Sequence, residues 1–178
     1  MNPLAALLEK LNTAQLWEGE KVLERSEYLI VQGSTDTNIY FIKEGTMRIY
    51  VVDEFEEHTI RFGYQDNIIA ALDSYITEKP SDIFIQALKK TEVWWISKKK
   101  YRDFILSDDE NIQIWHELLE QLVFQQLERE RDILTSSPLE RYQRVLARSP
   151  QLFQEVPHKY IANYLRMTPE TLSRVKKG

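Results

Sequence analysis

Hydrophobic positions change their period twice along the chain. Leu4, Leu7, Leu8 and Leu11 fall at helical spacing and predict a short amphipathic helix over 4–16. From Leu16 to Ser97 the runs are short and rich in Ile, Val, Tyr, Phe and Thr: 28–31, 39–42, 47–52, 58–62, 83–87 and 91–96. Turn signals separate them, with Gly33, Gly45 and Gly63 expected in turns and the acidic stretch 53–57 at a hairpin tip. Many short, closely spaced strands predict a small barrel or sandwich over about 16–97. Trp94 and Trp95 are adjacent in one such run, so they point to opposite faces and at most one lines the interior.

After Ile96 the period becomes helical. Ser97 is placed to cap a short helix over 98–106, and Asp108 and Asp109 a much longer one. Residues 110–135 contain no Pro or Gly, and Ile112, Trp115, Leu119, Leu122 and Ile133 keep one register that passes through Gln126 and Arg129. A helix of roughly 25 residues spans about 37 Å, more than a small domain needs. Its stripe is expected to pack on a second copy, the other reading being a long core helix of a monomer. Pro138 breaks it and can open a helix over 139–148; Ser149-Pro150 breaks again, and 151–155 reads as a connector.

The last segment, 156–177, divides into two short helices. The first covers about 158–165. The second follows Thr168 as N-cap, with Pro169 at the first helical position. Ile161, Leu165, Met167, Leu172 and Val175 then share one apolar wedge, with the small Ala162 at the crossing. That is the requirement of a helix-turn-helix. Pro169, Glu170, Ser173, Arg174 and Lys177 lie off the wedge and are free to enter a major groove. Arg174 suits a guanine edge; Glu170 suits a cytosine amino group, or holds Arg174 one turn away. Thr168, Thr171 and Ser173 are phosphate or base candidates, and Lys159, Lys176 and Lys177 phosphate candidates. A helical hairpin with a solvated basic face is the bland alternative.

Charge sharpens this picture. The net charge of −5 alone argues against a nucleic-acid binder. From Ser137 onward, however, eight Lys/Arg face three Asp/Glu, so +5, while the remainder carries 15 against 25, so −10. Either an acidic body carries a basic tip, or surface charge has fluctuated. The absence of Cys excludes disulfides, cysteine zinc sites and iron–sulfur clusters. There is no apolar run near 20 residues and no signal-peptide pattern, so a cytoplasmic protein without a membrane partner is expected.

The order of elements resembles the CRP/FNR superfamily of bacterial regulators over nearly the whole chain. Met167–Val175 is similar to the family's recognition helix, Ile42–Gly45 to its strand–turn, and Ile96–Tyr101 to the step from the last barrel strand into a helix. The resemblance implies an α+β fold: a β jelly-roll, cyclic-nucleotide-binding-like sensor domain (1–107), a dimerisation helix (108–136) and a helix-turn-helix domain (137–178). It implies Glu170 and Arg174 as base readers and a homodimer joined through Ile112, Trp115, Leu119, Leu122, Gln126 and Ile133. It further implies duplex DNA, RNA polymerase and an unidentified small effector as partners.

Departures from the family are equally informative. Cyclic-AMP-binding members grip the ribose with a Gly-Glu pair and the phosphate with an Arg-Ser/Thr pair. Here Ala70 stands at the Glu position, and Ser81 and Asp82 at the Arg and hydroxyl positions. A phosphate beside Asp82 and without its Arg loses a charge-assisted pair and gains a repulsion. Any effector pocket, lined by Ala70, Ser81, Asp82 and Phe84, is therefore expected to take something other than a classical cyclic nucleotide. Arg166 occupies a turn position that many members fill with Gly, and a winged hairpin after the recognition helix is not expected. His58, His116 and His158 show no ligand spacing, and no nucleophile–base pair or Gly-rich phosphate loop is present, so no cofactor, metal or catalytic residue is expected. The competing function is a dimeric sensor-like module that docks a partner protein instead of DNA.

Overall fold

Asn2 opens the first helix: its side-chain oxygen accepts from Leu4 N–H at 3.0 Å, with Pro3 behind it at the first helical position. The computed structural model describes residues 2–177; Met1 and Gly178 lie outside the described residues. Helix α1 (Pro3–Thr13) buries Leu7, Leu8 and Leu11 along one side.

Among the described residues, eight strands follow: β1 (Gly19–Leu23), β2 (Tyr28–Ile30), β3 (Ile39–Glu44), β4 (Thr46–Asp53), β5 (Glu56–Tyr64), β6 (Ile68–Ile69), β7 (Phe84–Ala87) and β8 (Thr91–Ile96). Helix α2 (Leu72–Thr77) lies between β6 and β7. The strands make two antiparallel sheets, β1-β8-β3-β6 and β2-β7-β4-β5, that face each other as a jelly roll. Alternation sends Met47, Ile49, Ile85 and Ala87 of one sheet inward against Tyr40, Ile42, Ile69 and Val93 of the other. Trp95 packs on this core, whereas Trp94 turns outward against Trp17 and Phe41.

Two turns show different local chemistry. Gly45 joins β3 to β4 at φ 110°, where a Cβ would collide with Thr91. Glu54 and Phe55 form the β4–β5 tip at φ 44° and 73°, the two left-handed residues of a type I′ turn, although neither is Gly or Asn. Gly63 departs from expectation. It sits inside β5, paired with Met47, because a Cβ there would press on Ile42 and Ile69.

Six helices complete the described chain: α3 (Lys98–Ile105), α4 (Asp109–Leu134), α5 (Pro138–Arg148), α6 (Pro150–Glu155), α7 (His158–Tyr164) and α8 (Pro169–Val175). Asp108 caps α4 by accepting from Glu110 N–H at 2.9 Å, and Ser137 caps α5 through Glu140 N–H at 3.3 Å. The expected connector at 151–155 is instead helix α6, started by Pro150 and anchored by the buried Leu152. Leu7, Leu11, Tyr101, Ile105 and Ile114 join α1, α3 and α4 over Ile39 and Ile96 of the barrel. The helices α5–α8 form a third core that includes Leu88, Phe62 and Tyr64. The C-terminal helices thus lie on the outer face of the β2-β7-β4-β5 sheet.

Candidate nucleic-acid interface and sensor site

The wedge between α7 and α8 forms as the spacing predicts. Ile161, Ala162, Leu165 and Leu172 are buried together, with Met167 and Val175 packed against them. Thr168 caps α8, its hydroxyl accepting from Thr171 N–H at 3.2 Å. Arg166 makes the turn at φ 53°, a left-handed conformation that a side chain adopts at a cost. Its carbonyl accepts from Arg141 Nη2 at 3.3 Å, and Arg141 Nη1 donates to the Thr135 carbonyl at 2.8 Å, so one buried arginine of α5 fastens the turn to the end of α4.

On α8 and its flanks, Thr168, Pro169, Glu170, Ser173, Arg174, Lys176 and Lys177 are exposed and Thr171 is half-buried; Lys159 on α7 is exposed. Glu170 does not pair with Arg174, which rests instead on the Thr171 hydroxyl at 3.4 Å. The Glu170 carboxyl is held below its ordinary value by its own backbone N–H and by the Thr168 hydroxyl.

The first helix of this unit is fixed to the β2-β7-β4-β5 sheet. A bulge at Ile60 leaves Thr59 on the outer face beside Arg48. Asn163 Oδ1 accepts from Thr59 N–H at 2.8 Å and from the Thr59 hydroxyl at 2.6 Å, while Asn163 Nδ2 donates to the Glu57 carbonyl at 2.6 Å. Arg48, only 1% exposed, donates to the Thr59 hydroxyl and to Glu57, and its guanidinium lies between the rings of Tyr50 and Tyr160 at 4.2 and 4.4 Å. Glu155 accepts from Lys89 at 2.7 Å and from the Thr46 hydroxyl at 3.2 Å.

Helix α4 is tied to the same face. Arg129 donates to the Thr59 carbonyl at 3.2 Å and lies 3.7 Å from the centroid of the Tyr164 ring; burial lowers its pKa. One turn on, Asp132 is fully buried and paired with Arg144 and Arg148, and Glu128 joins the same arginines from its own side. Sequence patterning does not single out Arg48, Arg129, Arg141, Asn163 or Tyr160. Their role depends on the two halves of the chain meeting, and only the amphipathic pattern of α7, with polar residues opposite the wedge, hints at it.

The stripe expected for dimerisation is divided. Ile112 and Trp115 pack within the chain, Trp115 edge-on to Tyr101 with centroids 5.5 Å apart, and Leu122 is half-buried. The apolar residues left open are Leu119, Val123, Phe124, Leu127, Ile133 and Leu134, with Gln126 among them. α1 covers the N-terminal part of the stripe, which moves the free face toward Val123 and Leu127.

The expected effector residues do not form one pocket. Phe84 lies on the outer face of its sheet, stacked on Tyr50 at 5.1 Å between ring centroids. Ala70 is half-buried and Asp82 exposed. Ser81 is buried, and its hydroxyl donates to the Asp73 carboxylate at 2.9 and 3.0 Å. Asp82 N–H and Ser74 N–H also donate to Asp73, each at 2.8 Å. No Lys or Arg among the described residues is ion-paired with Asp73 or Asp82. A nucleotide phosphate finds here two carboxylates that no Lys or Arg pairs with, and donors already in use, so these residues do not fit one.

Residues 20–108 match the cyclic nucleotide-binding domain, and the chain belongs to that family. Its fold is that of the CRP/FNR-type regulators. A CooA mutant from Carboxydothermus hydrogenoformans superposes with a TM-score of 0.75 at 17% identity, covering 96% of this chain and 82% of that one. FixK2 from Bradyrhizobium japonicum gives 0.71 at 15% identity over 89% and 82% of the two chains. The catabolite activator protein of Thermus thermophilus gives 0.60 at 19% identity over 98% and 85%. At these identities the likeness is one of fold. A comparison with curated protein sequences gives no match. No described helix is long and apolar enough to cross a membrane.

Proposed function

We propose that the chain is a cytoplasmic DNA-binding transcription regulator that acts as a homodimer. The observation that carries this reading is the exposure of α8 on a buried wedge, with Arg174, Lys176 and Lys177 facing solvent. Arg174 and Glu170 read base edges, and Thr168, Ser173, Lys159, Lys176 and Lys177 hold phosphates. The open face of α4, centred on Val123 and Leu127, joins two copies and sets the spacing of their recognition helices. RNA polymerase is the partner through which such a regulator acts, and any diffusible effector is not a classical cyclic nucleotide.

The test is selection of bound fragments from genomic DNA followed by titration on the enriched site. Arg174→Ala is expected to cost about 1–3 kcal/mol in specific affinity, and Lys177→Ala to lower the salt slope by about 1 without changing sequence preference. If no fragment is enriched, or Arg174→Ala binds as the parent does, the reading fails in favour of a protein-docking module.

A further inference from the structure

Asp73 is the most heavily bonded carboxylate of the sensor domain that has no cationic partner. Its two oxygens collect the Ser81 hydroxyl at 2.9 and 3.0 Å, Asp82 N–H at 2.8 Å and Ser74 N–H at 2.8 Å. The frame around it is rigid. Ser81 is 1% exposed; its N–H donates to the Ser34 carbonyl at 2.9 Å and its carbonyl accepts from Gly33 at 2.8 Å. The Ser81 hydroxyl also accepts from Ile83 N–H at 3.0 Å. Behind α2, the buried Ser74 accepts from Asp36 N–H at 3.1 Å, and Tyr40 donates its hydroxyl to Asp36 at 2.6 Å. If Asp73 swung out, a buried hydroxyl and two backbone N–H groups would lose their acceptor, which is costly.

We propose that Asp73 is the resident ligand of this sensor: its carboxylate fills, from within the chain, the anion cradle between α2 and β7, and the domain takes no cyclic nucleotide there. The donors are of the kind that hold an anionic oxygen, a hydroxyl and backbone N–H groups, and one negative group already satisfies them. A second anion would meet Asp73 and Asp82 together, neither of them neutralised by an ion pair. The cradle is therefore occupied by a covalently attached anion. This holds whether or not the C-terminal helices bind DNA.

Three measurements on the full chain decide it. In calorimetric titration, cyclic AMP is expected to give no binding heat with the wild-type chain and no rise in its melting temperature. Asp73→Ala is expected to melt about 5 °C lower. Sodium formate, which supplies a free carboxylate to the emptied cradle, should recover part of that loss beyond what sodium chloride gives at equal ionic strength, and should leave the wild type unmoved. Ser81→Ala, which deletes a donor and keeps the carboxylate, is expected to lose less than Asp73→Ala and to respond to neither salt. Cyclic AMP stabilising the wild type, an unchanged melting temperature in Asp73→Ala, or equal action of formate on both chains would each overturn the proposal. Should Asp73→Ala fail to fold, cyclic AMP binding to the wild type, or a formate response in Ser81→Ala, would still overturn it.

Discussion

Arg48 of strand β4 stacks on Tyr160 of the helical region, with its guanidinium carbon 4.4 Å from the ring centroid. The two residues are far apart in sequence, one on β4 and the other on α7, so this pair measures how firmly the helix-turn-helix is seated. A double-mutant cycle with Arg48→Ala and Tyr160→Ala should give a coupling of about 1 kcal/mol in denaturant unfolding. Arg48→Ala alone should cost more, about 2–4 kcal/mol, because Glu57 and the Thr59 hydroxyl also lose their donor. A coupling near zero would mean that the contact exists without holding the two regions together.

The two faces of α4 make opposite predictions. Leu127→Glu and Val123→Glu place charge on the open face and should yield a monomer in sedimentation, with little effect on melting at low concentration. Trp115→Ala acts within the chain, where the ring meets Tyr101, and should cost about 2 kcal/mol of stability while leaving subunit association intact. Dissociation by Trp115→Ala with no effect of Leu127→Glu would reverse the assignment of faces.

Arg166 tests strain in the turn. A side chain held at φ 53° carries a penalty that Gly does not. Arg166→Gly should raise stability by roughly 0.5–1 kcal/mol, since the bond from Arg141 reaches the backbone carbonyl and survives the change. Equilibrium denaturation of both chains reads it directly. A loss of stability would show that the Arg166 side chain makes stabilising contacts outside the turn.

Acid should loosen the ion pairs that join α4 to α5 and α6 to the β domain. A hydrogen bond from Arg131, together with the charges of Arg144 and Arg148, holds Glu128 below its ordinary pKa of 4.5, and a hydrogen bond from Lys89 does the same for Glu155. A lowered carboxylate pKa means that the contribution is fully present above 4.5 and is lost as pH falls through the lower folded-state value. Melting temperature should therefore hold from neutral pH to about 5 and fall below that. Glu155→Gln should flatten part of the fall; an identical profile in that variant would show that Glu155 plays no part in it.

Local patterns are readable wherever partners are near in sequence. The strand runs, the Thr168 cap and the wedge of Ile161, Leu165, Met167, Leu172 and Val175 all depend on neighbours within a few residues. What the sequence hides depends on distant pairing. Gly63 reads as a turn because the groups that crowd it, Ile42 and Ile69, come from other strands. The stripe on α4 is only partly legible because both of its sides are apolar, and only the arrival of α1 decides which is covered. That Ser81 and Asp82 carry no cationic side chain is visible in the sequence, but that Asp73 fills the donors beside them is not, since only the fold brings 73 to 81.

Strand β5 ends its sheet, and an open rim of backbone groups is a template for further strands. Here the rim is plugged by side chains: Asn163 takes the Thr59 N–H and the Glu57 carbonyl, and Arg129 the Thr59 carbonyl. A side chain satisfies the rim without offering a new edge beyond it. The helical region therefore also serves as a guard against aggregation, and a fragment ending before α7 would be left with an adhesive border along β5.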